Sequence, residues 1–281
     1  LLYETMNIEP EHPAPYFCMS SLYELMWVDT GSDIFSDSIN KYTELCVSRG
    51  NKLLKNNPED AWIHFFVGGA YTLKIFYHAL KGEVFVTLPF ISPSLKHLTK
   101  ARSINGDIHD VLLGLGGWEY FKGHLPFMTS KKEKGLLMIR KASEKGKYVS
   151  LYASLAYAKI LLRENKYDEA IEILIPLIDS IPDSRTFTWP LLKAYYGKQE
   201  YEKALEVVNE LIQLSRDNNY SLFESLYYKT LILKKLDRIE SALDISKKAL
   251  DIKVNENAPN AGDMREELKR IEKDITQLLG E

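Results

Sequence analysis

The chain has 281 residues, 45% of them hydrophobic and 27% charged, which is ample to bury a continuous core. Its 36 basic and 39 acidic residues leave a formal net charge of −3, so no overall field steers the protein toward nucleic acid or an anionic membrane. Two cysteines exclude a disulfide-rich secreted scaffold, and no apolar run is long enough for a transmembrane segment.

Apolar residues at helical spacing predict helices over 13–28, 35–56, 60–80, 88–104, 108–122, 131–146, 149–164, 167–180, 186–198, 200–216, 221–236, 238–254 and 263–279. Cys18 and Cys46 fall at similar heights on the first two if the chain turns near 30–32. A bridge is conceivable there, but two small buried core residues are the preferred reading. Pro58 and Pro182 close helices, because proline blocks their continuation. The run 84–88 has some strand character but no partner strand, so it is expected to form an insertion between the helices of the second repeat. Gly68-Gly69 and Gly114-Leu115-Gly116-Gly117 lie on helices, where they are expected to let neighbouring backbones approach. After a turn-rich loop over 255–262, the last helix carries Leu268, Ile271, Ile275, Leu278 and Leu279 on one stripe. That stripe predicts a cap, with Leu268, Ile271, Ile275 and Leu278 packed on the two preceding helices.

A repeat underlies these elements. Tyr167 and Tyr201 are 34 residues apart, as are Ala170 and Ala204, and a third copy places Ala242 38 residues after Ala204. The extra four residues fit the polar loop 216–220. Gly135 holds the same place in the preceding copy, and two earlier copies are spaced 48 and 41 residues apart. A small residue early in the second helix of each pair lets the first helix come close. The expected architecture is therefore all-α, a right-handed α-solenoid of about six helix pairs plus a C-terminal capping helix. It forms one domain over 1–281, with divergent repeats and insertions over 1–130, regular repeats over 131–254 and the cap over 263–281.

The copies centred on Ala170 and Ala204 resemble the tetratricopeptide repeat (TPR). Asn57-Pro58-Glu59-Asp60-Ala61, Phe66-Val67-Gly68-Gly69-Ala70-Tyr71, Gly114-Leu115-Gly116-Gly117-Trp118 and Leu125-Pro126-Phe127 extend that likeness. Together they resemble a family of bacterial TPR proteins of unassigned function, distantly similar to eukaryotic Iml2/TTC39-type proteins. Members commonly carry an export signal, so the resemblance implies a periplasmic or secreted location. The absence of a methionine before Leu1-Leu2-Tyr3 leans the same way, while the cysteines and charge suit the cytoplasm equally well.

No motif supports catalysis, and no cofactor or metal is expected. The six histidines form no His-x-x-x-His pair, and His109-Asp110 is the nearest approach to a ligand pair. Gly114–Gly117 lacks both the third glycine of a dinucleotide loop and a following Lys-Ser/Thr. What remains is binding. The first helices of the regular pairs offer Tyr152, Lys159 and Arg163, then Trp189, Lys193 and Tyr196, then Glu224, Tyr227 and Lys234. Aromatics interleaved with Lys and Arg suit an extended protein segment with acidic groups, which makes a scaffold or adaptor, itself a possible homodimer, the leading expectation. The alternative is a receptor for an apolar or sugar-like small molecule, with a pocket at His64, Tyr71, Trp118 and Tyr120.

Overall fold

The computed structural model describes residues 2–30, 32–255, 258 and 260–280, and the described residues contain α-helices and a 3-10 turn but no strand. In chain order these are α1 (Leu2–Ile8), α2 (Ala14–Thr30), a 3-10 turn (Asp33–Phe35), α3 (Ser36–Asn56), α4 (Ala61–Leu80), α5 (Val84–Ile104), α6 (Val111–Lys122) and α7 (Ser130–Lys145). They continue as α8 (Ser150–Arg163), α9 (Tyr167–Ser180), α10 (Arg185–Gly197), α11 (Tyr201–Leu214), α12 (Asn219–Lys235), α13 (Ile239–Leu250) and α14 (Ala261–Leu279). All thirteen expected helices are present, and α1 is an addition. It buries no residue, so it has no apolar stripe to announce it.

The segment 84–88 is the first turn of α5 rather than an insertion. Pro89 and Pro93 lie inside that helix, and their missing N–H groups disguise its continuity in the sequence. The long early spacings are taken up by helix length: α3, α4 and α5 have 21, 20 and 21 residues, against 14 in each of α9 and α11.

The chain divides into two compact units, Leu1–Val28 with Asp33–Tyr157 and Asp29–Ser32 with Ala158–Glu281. In the first, α4 is apolar on most of its circumference because neighbours cover it on several sides. Phe65 and Phe66 meet Phe17 of α2 edge-on and tilted, at 5.5 and 5.8 Å, while Gly68 receives Leu98 of α5. Helices α6 and α7 touch backbone to backbone. A Cβ on Gly135 would stand 2.4 Å from the Tyr120 amide nitrogen, and one on Gly116 would stand 2.9 Å from the Gly135 carbonyl. Cys46 is buried and donates its thiol to the Phe66 carbonyl at 3.5 Å, and neither cysteine is bridged.

In the second unit Ala170, Ala204 and Ala242 are fully buried, in keeping with close approach at the repeat position. Met264 and Leu268 of α14 pack with Phe223 and Ala249, and Ile271 and Ile275 with Leu233, Ala242 and Leu243. Arg265 donates to the Leu250 and Ile252 carbonyls at 2.9 and 2.8 Å, satisfying the exposed end of α13. The cap differs from expectation at one residue, since Leu278 is 72% exposed. Helix α14 has 19 residues and α13 only 12, so its last turn runs past the surface it covers.

Candidate binding face of the second unit

Three helices assemble the candidate site. On α10, Trp189, Lys193 and Tyr196 follow at helical spacing and share one face. Opposite them α12 presents Glu224, Tyr227 and Tyr228, and α14 adds Glu267. The Trp189 indole N–H donates to the Ser221 hydroxyl at 3.4 Å, fixing α10 against the start of α12. There Asn218 caps α12 by accepting the Ser221 amide at 3.0 Å.

Tyr228 is the hub of the aromatic cluster, with ring centroids 5.8 Å from Trp189, 6.1 Å from Tyr196 and 5.4 Å from Tyr227, all edge-to-face. The Lys193 ammonium lies 5.7 Å from the Trp189 centroid and 5.5 Å from that of Tyr228, and 3.6 Å from a Glu224 carboxylate oxygen. Its side chain remains 43% exposed, whereas that of Glu224 is 18% exposed. Desolvation works to lower the Lys193 pKa, but Glu224 and Tyr228 outweigh it and the net shift is upward. Burial raises the Glu224 pKa against the opposing pull of Lys193 and of Lys159. Tyr227 donates its hydroxyl to Glu267 at 2.6 Å. Burial first, and that bond second, push its own pKa up.

No protein-family model matches the chain, and no curated protein does. Among solved structures it is similar to PilW, described as a widely conserved type IV pilus biogenesis factor. That likeness has a TM-score of 0.52 and 11% identity over 82% of this chain and 91% of that one. The fold is an all-α helical repeat. Yeast Tom70 (TM-score 0.40, 11% identity, 95% and 64% coverage) and the TPR domain of P58(IPK) (0.33, 12%, 97% and 82%) also align, with lower scores.

Of the other expected groove residues, Lys159 lies close enough to Glu224 to act on it electrostatically. Lys159, Arg163 and Lys234 are exposed at the surface of the second unit. Tyr152 belongs to the first unit, where its hydroxyl donates to the buried Glu24 carboxylate at 2.9 Å and its ring stacks 6.3 Å from Phe76. Tyr228 and Glu267 escaped the sequence reading. Tyr228 could have been found as the next residue after Tyr227 on a two-turn aromatic face, whereas nothing in the sequence marks Glu267.

The alternative pocket residues do not converge on one cavity. His64 meets His97 across α4 and α5, with the two Nδ1 atoms 2.9 Å apart, and its Nε2 lies 3.0 Å from the Pro58 carbonyl. With His64 Nε2–H donating to the Pro58 carbonyl, its Nδ1 is the acceptor and His97 Nδ1–H the donor. Tyr71 stacks with Phe90 at 6.3 Å, and Tyr120 is buried against His124. Trp118 alone of the four lines an open groove of about 880 Å3 along α5. His109 and Asp110 serve separate ends: His109 Nδ1 is 2.7 Å from the Asp107 carbonyl, and Asp110 accepts backbone amides of 147–149. Among the described residues no three acidic, His or Cys side chains gather as a metal site, and no helix is long and apolar enough to cross a membrane.

Proposed function

We propose that the protein is a non-catalytic docking scaffold that holds an extended acidic protein segment on the shared face of α10, α12 and α14. One observation carries this reading: Lys193 is half exposed yet held in place by Trp189, Tyr228 and Glu224. A cation braced on two rings loses little conformational freedom when a carboxylate approaches it, and the flanking aromatics offer flat apolar surface to neighbouring side chains. Lys159 and Arg163 add positive charge on α8, the first helix of the preceding pair. At 3.6 Å the ion pair with Glu224 is longer than a hydrogen bond, and the Lys193 side chain keeps 43% exposure toward an incoming acid. An extracytoplasmic location accompanies the proposal on the strength of the family resemblance, and cell fractionation tests it.

The test is fluorescence anisotropy with a labelled peptide library in which Asp and Glu are kept or replaced by Asn and Gln. Acidic peptides are expected to bind, and Lys193→Ala to weaken them roughly tenfold or more, as befits a lost charge-assisted contact. The paired change Trp189→Ala with Tyr196→Ala is expected to reduce binding of every acidic peptide. Equal affinity for acidic and neutralised peptides, or an unchanged affinity in Lys193→Ala, overturns the assignment.

A further inference from the structure

Among the described residues, five of the turns that join paired helices carry a residue with positive φ, and one of the five differs in its side chain. At α4–α5, α8–α9, α10–α11 and α12–α13 the left-handed position is held by Gly82, Asn165, Gln199 and Asp237, with φ of 78°, 57°, 64° and 58°. Glycine tolerates that conformation best, followed by Asn and Asp. At α6–α7 the residue with positive φ is Phe127, at 64°, and its ring is fully exposed. A bulky aromatic there incurs backbone strain and gains no packing within the chain, so its return must come from outside.

Phe127 does not stand alone. Leu125 and Met128 beside it are exposed, as is Phe121 in the last turn of α6, which stacks on Trp118 at 5.7 Å. Trp118 and Leu88 line one groove, so the start of α5 lies at the same end of the first unit, where Phe85 is 86% exposed. These side chains project from turns and helix ends rather than line a cleft. The surrounding charge is positive: residues 119–134 hold Lys122, Lys131, Lys132 and Lys134 against Glu119 and Glu133. Glu119 is shared, lying 2.5, 3.7 and 3.9 Å from Lys122, Lys131 and Lys134. One carboxylate cannot neutralise three ammonium groups.

We infer that the α4–α5 and α6–α7 turns insert into the surface of an anionic lipid bilayer. Phe85 and Phe127 enter the headgroup–acyl boundary, and the lysines remain at the level of the lipid phosphates. Projecting aromatics bordered by long cationic side chains suit that interface, where apolar tips are buried without needing a complementary cavity. The overall charge of −3 does not oppose this, because the attraction acts within about a Debye length of the local lysines.

Vesicle flotation of the full chain tests the inference, using phosphatidylcholine vesicles with and without phosphatidylglycerol. Flotation is expected only with the anionic vesicles, weakening as salt rises, with a blue shift of tryptophan emission that Trp118→Phe removes. Phe127→Asn is the decisive variant, because asparagine accepts positive φ and folding should not suffer. It is expected to raise the melting temperature while weakening vesicle binding about tenfold, the scale of withdrawing one buried aromatic. Absence of flotation with anionic vesicles, or equal flotation of wild type and Phe127→Asn, overturns the inference. So does light scattering that shows a wild-type dimer dissolved by Phe127→Asn, which makes the patch an interface between copies of the chain.

Discussion

Asp110, at the start of α6, accepts the Val149 amide at 3.0 Å across 39 residues of sequence. The same carboxylate takes the Tyr148 amide at 2.6 Å and the Lys147 amide at 3.0 Å, so one buried acid satisfies three donors where the chain enters α8. Asp110→Ala strands those amides and is expected to lower stability by roughly 2–4 kcal/mol. Asp110→Asn, which keeps one acceptor, should cost less. Urea unfolding checks both, and a change below about 0.5 kcal/mol in the alanine variant removes this role.

The His64–His97 pair makes stability depend on pH with a definite sign. Burial, then His64 and Lys96, lower the His97 pKa from 6.5 to about 4. The unfolded chain therefore takes up a proton first as pH falls, and the folded state resists. Stability from this pair is present above 6.5, is lost as pH falls from 6.5 toward 4, and changes no further below. For a half-buried ring the loss is on the order of 1–2 kcal/mol after solvent screening. Melting curves of wild type and His97→Gln across that range should converge toward the acid end, and parallel curves refute the assignment.

Two leucines on α14 separate cap from overhang. Leu268 is fully buried beside Phe223 and Ala249, so Leu268→Ala should cost about 2–5 kcal/mol. Leu278→Ala should stay within about 0.5 kcal/mol. Removing 263–281 strips both clusters of their cover and is expected to lower the melting temperature and promote self-association. A truncated chain that stays monomeric with unchanged melting shows that α14 is not a cap.

Neighbouring glycines should respond with opposite signs. Gly135→Ala drives a methyl group into the backbone of α6 and is expected to destabilise by roughly 1–3 kcal/mol. A Cβ on Gly117 meets nothing nearer than a Phe76 ring carbon at 3.8 Å, so Gly117→Ala should stabilise by about 0.5–1 kcal/mol through helix propensity. Thermal unfolding of the two variants decides between close approach and mere tolerance at each position.

The sequence by itself marked every described helix except α1, and their pairing, because both rest on local rules. Three- and four-residue spacing of apolar side chains makes each stripe, and the recurrence of Ala170, Ala204 and Ala242 makes each pair. It also placed Trp189, Lys193 and Tyr196 on one helix face, which follows from spacing alone. Only the tertiary structure decided which residues meet across helices. The approach of Tyr228 to Lys193, of Glu267 to Tyr227, of His64 to His97 and of Asp110 to 147–149 depends on the rotation and offset of packed helices. Those are set by burial along whole faces, and no short window of sequence contains them. The same cause exposed Leu278, whose place on the stripe was legible while the length of its partner's surface was not. It also placed Tyr152 on Glu24 in the first unit, since helical spacing fixes a face but not what will cover it.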